Sequence, residues 1–234
     1  MPNIAGLDGC KSGWIAVYRR LNESAIESRV VTSIEELFAS ISDLTVVAID
    51  IPIGLTDSGP RACDVMARRE IGPRRSSVFP APIRAVIEAL TYDDANRISR
   101  ERQNKGMSKQ SFAICPKIGA IDKELRSSTA MRDRVFEVHP EVSFRAWNGG
   151  APMMHPKKTL DGGRDRLQLV SVYFGVDAFD LVRAAHPQRD VADDDILDAF
   201  AGLWTAERIV GDDSRTLPAQ PPVDVEGLPM RIVY

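Results

Sequence analysis

IAGLDGCKSGWIAVYRR, from Ile4 to Arg20, is the stretch whose pattern decides the fold. Ile4-Ala5-Gly6-Leu7 is a short apolar run that carries Asp8 at its end. Gly9 to Gly13 turns the chain, and Trp14-Ile15-Ala16-Val17-Tyr18 runs back. Two apolar runs joined by a glycine-containing turn predict a β-hairpin. A carboxylate at the end of a buried strand is costly unless it meets a metal, a partner or water. Asp is also an ordinary turn residue, so turn-capping accounts for Asp8 if nothing else converges on it.

Working outward, Ala25 to Val31 suggests a third strand, and Ser33 with Glu36 has the spacing of a capping box that opens a helix to about Ser40. Leu44 to Ile51 is β-branched and apolar, which predicts a strand buried on both faces, with Asp50 interrupting it and Pro52 and Gly54 ending it. Strand, strand, strand, helix, strand is an antiparallel meander followed by a crossover to a parallel partner. From Asp57 to Asp133 the chain reads as helices and loops. Helices are expected over 60–70, 83–90 and 93–102, and along the apolar stripe Phe112, Cys115, Ile118, Ile121 and Leu125, which Pro116 kinks or starts. The proline-rich run 72–82 is expected to lack regular structure. Arg134 to His139 returns to strand and Pro140 closes it. A Gly/Pro-rich loop with Lys157 and Lys158, expected to be solvated surface charges, leads to helices near 163–174, 179–185 and 193–210. A connector (212–223) and an edge strand (230–234) finish the chain.

The composition of the 234 residues, 44% hydrophobic and 27% charged, is that of an ordinary globular protein. No run of about 18 apolar residues predicts a membrane span, and MPNIAGLDGCK has no basic leader followed by an apolar segment. Cys10, Cys63 and Cys115 are odd in number and far apart, which excludes a disulfide framework and a paired-cysteine zinc site and leads us to expect a reducing, cytoplasmic setting. Charge is unevenly spread. Between Asp57 and Arg134 there are 16 basic and 10 acidic residues, a net of +6, while the rest carries −9.

In DDDILDAFAGLWTAERIV, Asp195 and Asp198 share a helix face that continues as the small residues Ala199, Gly202 and Ala206. Small residues let a helix approach a sheet closely. Helix capping and the helix dipole explain an aspartate at 193 or 194, but explain Asp198, beyond the first turn, poorly. Asp8, Asp50 and Glu137 on strands and Asp195 with Asp198 on a late helix are therefore the candidate catalytic carboxylates. Converging carboxylates repel one another unless a cation lies between them, and hard ions such as Mg²⁺ or Mn²⁺ suit oxygen ligands. Two such ions serve phosphodiester cleavage. Asp8, Asp50 and Asp195 are the expected direct ligands, with Glu137 and Asp198 completing or flanking the site.

GLDGCKSGW, AIDIPIGL, RRSSVFPAP, KQSFAICPKI, VFEVHPEVSF and DDDILDAFAGL together resemble the prokaryotic family known as domain of unknown function 429, described as predicted RNase H-like nucleases. The resemblance covers nearly the whole chain. It implies an RNase H-like α/β fold over residues 1–234: a mixed five-stranded sheet flanked by helices, with 57–133 as a helical, basic insertion. By motif, the first-strand acid is Asp8, the fourth-strand acid Asp50, and the last-helix acids Asp195 and Asp198. The last helix is also similar to that of Holliday-junction resolvases. Glu137 lies in a motif of the family's own.

Lys11, Arg74, Arg75, Gln110, Lys117 and His139 are the candidates for contact with substrate, Lys11 first because its turn follows directly from Asp8. The expected activity is metal-dependent phosphodiester hydrolysis of DNA or RNA, branched junctions included. Two alternatives stand beside it: a catalytically silent module on the same fold, and a protein acting on a small phosphorylated molecule.

Overall fold

The computed structural model describes all residues, 1–234. The hairpin forms as the opening stretch predicts. Strand β1 (Asn3–Cys10) pairs antiparallel with β2 (Gly13–Arg20), Asp8 opposite Ile15 and Cys10 opposite Gly13. Gly13 is required at the turn: its φ is +134°, and a Cβ there would stand 2.3 Å from the Val31 carbonyl oxygen. Strand β3 (Glu27–Val31) adds antiparallel to β2. Helix α1 (Ile34–Ser40) starts at Ser33, whose hydroxyl accepts from the Glu36 amide, while the Glu36 carboxylate reaches back to the amide of Thr32. The crossover then delivers β4 (Leu44–Ile49) parallel to β1.

The chain leaves the sheet through α2 (Ala62–Glu70), two 3-10 turns (Gly72–Ser77 and Arg84–Val86), α3 (Tyr92–Gln103), α4 (Lys109–Ser127) and α5 (Thr129–Arg132). It returns as β5 (Val135–Glu137), parallel to β4. The sheet order is β3-β2-β1-β4-β5, three strands antiparallel and the last two parallel to β1, which is the RNase H-like arrangement.

Three local expectations need correction. The helix expected over 83–90 is one short turn, because Thr91 is extended and caps α3 by accepting from the Asp94 amide. The proline-rich run opens with a 3-10 turn rather than pure loop. Pro116 does not start its helix: α4 (Lys109–Ser127) runs through it, with Pro116 on the exposed side and Cys115, Ile118, Ile121 and Leu125 buried. A fourth element is new. Pro140 does not end structure but opens α6 (Pro140–Trp147), a position that suits a residue without an N–H.

After α6 come α7 (Leu160–Phe174), α8 (Ala178–Ala185) and α9 (Asp193–Val210), then β6 (Thr216–Leu217) and β7 (Ile232–Val233), which pair with each other. Strand β7 also bridges Val138 just past β5, so the expected edge strand exists in shortened form.

The pleat of β1 sorts its residues between two cores. Ala5 and Leu7 pack with Val47, Ile49 and the inner residues of α1 and α4. Ile4 and Cys10 lie in the other core, with Val46, Ala48 and the apolar residues of α9. Gly6 and Asp8 share the α9 side by alternation. There the small-residue face of α9 makes the close approach its sequence predicts. A Cβ on Gly6 would stand 2.1 Å from both the Ala199 carbonyl oxygen and the Leu203 nitrogen.

Candidate metal centre

That contact decides where the acids fall. Two residues beyond Gly6 along β1 is Asp8, and one turn back from Gly202 along α9 is Asp198. The β1–β4 ladder continues one step past the strand, the Asp50 amide donating to the Leu7 carbonyl at 3.0 Å, and so sets Asp50 beside Asp8. The carboxylates of Asp8, Asp50 and Asp198 each offer an oxygen, and these lie within 4.8 Å of one another. Asp8 and Asp198 are buried and Asp50 is half-buried.

Burial, with the charges of Asp198 and Asp50, holds the Asp8 carboxyl well above the usual aspartate range. Burial and the Asp198 charge push Asp50 up to about 7. The Asp198 Oδ2 accepts from the Lys157 ammonium, but its Oδ1 is buried with no hydrogen-bond partner. A buried carboxylate oxygen left open in an acidic triad suits a hard cation, so these residues could hold a metal ion.

The third member of the cluster is therefore Asp198, where Asp195 was expected. Asp195 stands in the first turn of α9, where its carboxylate accepts from the Ala192 amide at 2.9 Å and caps the helix. Asp198, one turn deeper, lies against the sheet. Asp195 still flanks the centre closely enough for its charge to raise Asp8.

Glu137 does not join the triad. Both its oxygens are taken by Arg61, at 2.6 and 2.7 Å, and it also accepts from the Ile53 amide at 2.7 Å. Arg61 in turn holds Asp64 and donates to the carbonyls of Ile53 and Gly54. The Glu137–Arg61 pair thus fixes the segment that follows Asp50.

Of the candidate substrate contacts, Lys11, Arg75 and Gln110 are exposed. Lys117 is engaged in the hairpin: its ammonium donates to the carbonyls of Cys10 and Gly13 at 3.0 and 2.9 Å and lies over the Trp14 ring. Arg74 stands 3.9 Å from the Glu141 carboxylate. His139 Nε2 lies 3.3 Å from the Ser77 carbonyl, and its Nδ1 is buried without a partner. Burial lowers the His139 pKa, against the pull of Glu141 and Asp198.

Lys157, expected on the solvated surface, is instead part of the centre. It pairs with Asp198 and lies 3.8 Å from Asp194. Burial opposes its charge, but Asp198 and Asp8 outweigh burial and hold its pKa above the usual lysine value. Nothing in the residues around Lys157 distinguishes it from Lys158. The signal lies in its anchors, Arg166 and Gly162.

No helix of the structure is long and apolar enough to cross a membrane. A family model described as a protein of unknown function (DUF429) matches residues 6–223. No curated protein and no solved structure matches the chain.

Proposed function

This chain belongs to the DUF429 family, and from its acidic centre we propose that it is a divalent-metal-dependent phosphoesterase, in the best-supported form a nuclease. The observation that carries the proposal is the Asp8, Asp50 and Asp198 triad with its open, buried Asp198 oxygen, at the meeting of two parallel strands and the last helix of an RNase H-like sheet. Mg²⁺ or Mn²⁺ bound there, as one ion or a pair, would supply an activated water and stabilisation of a leaving oxygen. Asp8 and Asp50 would hold the ion from the sheet and Asp198 from α9, while Glu137 and Arg61 keep the chain beyond Asp50 in place. Nucleic acid is the favoured substrate because the stretch between β4 and β5 is basic, and Lys11 and Arg75 stay exposed to meet phosphates.

Incubation with labelled single-stranded, duplex and branched DNA and RNA, with Mn²⁺ or with chelator, tests this. Cleavage in Mn²⁺ that is lost both in chelator and in Asp198→Asn is the expected result. No cleavage of any nucleic acid, with release of phosphate from a small phosphomonoester or nucleotide, would move the substrate to a small molecule.

The Lys157 ion pair favours one other reading, a catalytically silent module in which that ammonium neutralises the acids permanently. Such a protein would show no change in melting temperature with Mg²⁺, Mn²⁺ or Ca²⁺.

A further inference from the structure

We propose that Lys157 is the resident counter-ion of the acidic centre, and that a divalent ion enters by displacing its ammonium group from Asp198. The inference rests on the metal-site reading above and adds the residue that sets how tightly the site holds a divalent ion.

The position of Lys157 is built. Arg166, almost fully buried, pairs with Glu141 at 2.6 Å and donates to the carbonyls of His155 and Gly162 at 3.3 and 2.7 Å. The Pro156 carbonyl then lies so close to α7 that a Cβ on Gly162 would stand 1.9 Å from its oxygen. Thr159 accepts from the Gly162 amide and starts the helix. The residues on either side of Lys157 are thus pinned to α6 and α7, and the side chain between them meets Asp198.

The ammonium and a divalent ion compete for the same charge. Asp198 gives Lys157 one oxygen, and the charges of Asp8 and Asp50 act on it as well. Those are the three carboxylates an ion needs. Asp194, half-buried and 3.8 Å from the ammonium, is the acid left to Lys157 once Asp198 is taken. The single charge of the ammonium interacts with the three carboxylates less strongly than the double charge of Mg²⁺ or Mn²⁺ would, so the divalent ion wins the competition.

Titration calorimetry of Mn²⁺ into chelator-stripped wild type, Lys157→Gln and Lys157→Arg tests this. Lys157→Gln should bind Mn²⁺ roughly tenfold or more tightly than wild type, since a nearby positive charge has gone. Lys157→Arg, which keeps the charge, should stay close to wild type. If metal-free Lys157→Gln does not fold, circular dichroism during the Mn²⁺ titration replaces calorimetry: refolding at concentrations below those that saturate wild type supports the competition, and failure to refold overturns it. Wild type that binds Mn²⁺ while Lys157→Gln binds no tighter overturns this inference and leaves the metal site standing. Equal tightening in Gln and Arg variants overturns it too, by showing an effect of the loop and not of the charge. Absence of Mn²⁺ binding in all three proteins removes the metal site itself.

Discussion

Gly202 of α9 rests on Gly6 of β1 so closely that a Cβ on Gly202 would be 3.0 Å from the Gly6 Cα and 2.9 Å from the Ala48 carbonyl oxygen. The same contact brings Asp198 to Asp8, so packing and ligand geometry are one feature. Gly6→Ala would put its methyl against backbone atoms that have no room to move. We expect a cost of about 3 kcal/mol, a melting temperature lower by roughly 6–12 °C, and a weakened response to Mn²⁺ as α9 lifts. A variant of wild-type stability and wild-type metal response would show that α9 is not held by this contact.

Metal binding itself can be read without a substrate. At free ion about ten times its dissociation constant, linkage gives about 1.4 kcal/mol of added stability, a rise in melting temperature of very roughly 3–6 °C. Asp8→Asn should abolish most of that rise. In chelator it should be as stable as wild type or more so, because the Asp8 side chain forms no hydrogen bond that the change would remove and one repelling charge disappears. Destabilisation in chelator with an intact metal response would make Asp8 a turn residue only.

Acidity supplies a third test. Asp8 and Asp50 bind protons more tightly folded than unfolded, Asp50 up to about 7. The Asp50 contribution to stability is fully present below the unfolded aspartate value near pH 4, and it is lost as pH rises through about 7, Asp8 acting in the same direction. In chelator, the wild-type melting temperature should therefore fall from about pH 5 to 8 more steeply than that of Asp50→Asn. The Mn²⁺-induced rise should grow over the same range, since ligand carboxylates must be ionised to bind. A metal response equal at about pH 6 and 8 contradicts the assignment of Asp50 as a ligand.

The Glu137–Arg61 pair carries the fourth. Both side chains are at most 4% exposed, so Arg61→Ala strands two buried carboxylates, Glu137 and Asp64. The expected cost is about 3–5 kcal/mol, or a melting temperature lower by roughly 6–20 °C. Glu137→Gln should also lose stability yet keep the Mn²⁺-induced rise. Loss of that rise in a Glu137→Gln protein that is otherwise near wild-type stability would return Glu137 to the ligand set.

Most of the fold was legible because its elements obey strong patterns: the hairpin, β4 with its apolar run rich in β-branched residues, and the small-residue face of α9. Asp195 and Asp198 share that face, and periodicity alone does not say which turn meets the sheet; a free amide at Ala192 settles it by capturing Asp195. Glu137 alternates like any strand-end acid, and its partner Arg61 lies 76 residues away, a pairing only the tertiary fold reveals. Lys157 sits in a segment without periodicity, placed by Arg166 and Gly162. The α6 helix did leave a trace, Pro140 at a position that favours helix starts, but it follows a strand so directly that it reads as a terminator.

The three aspartates also impose a timetable on synthesis. Asp8 on β1 and Asp50 just past β4 leave the ribosome early, while Asp198 follows after about 150 further residues. At typical elongation rates of about 5–20 residues per second, that interval lasts roughly 7–30 s. Throughout it the face that α9 will cover is bare and the two early acids lack the third, and Lys157, made before Asp198, has not yet met its partner. A nascent chain can therefore build the sheet, but the three aspartates come together only when the last long helix docks.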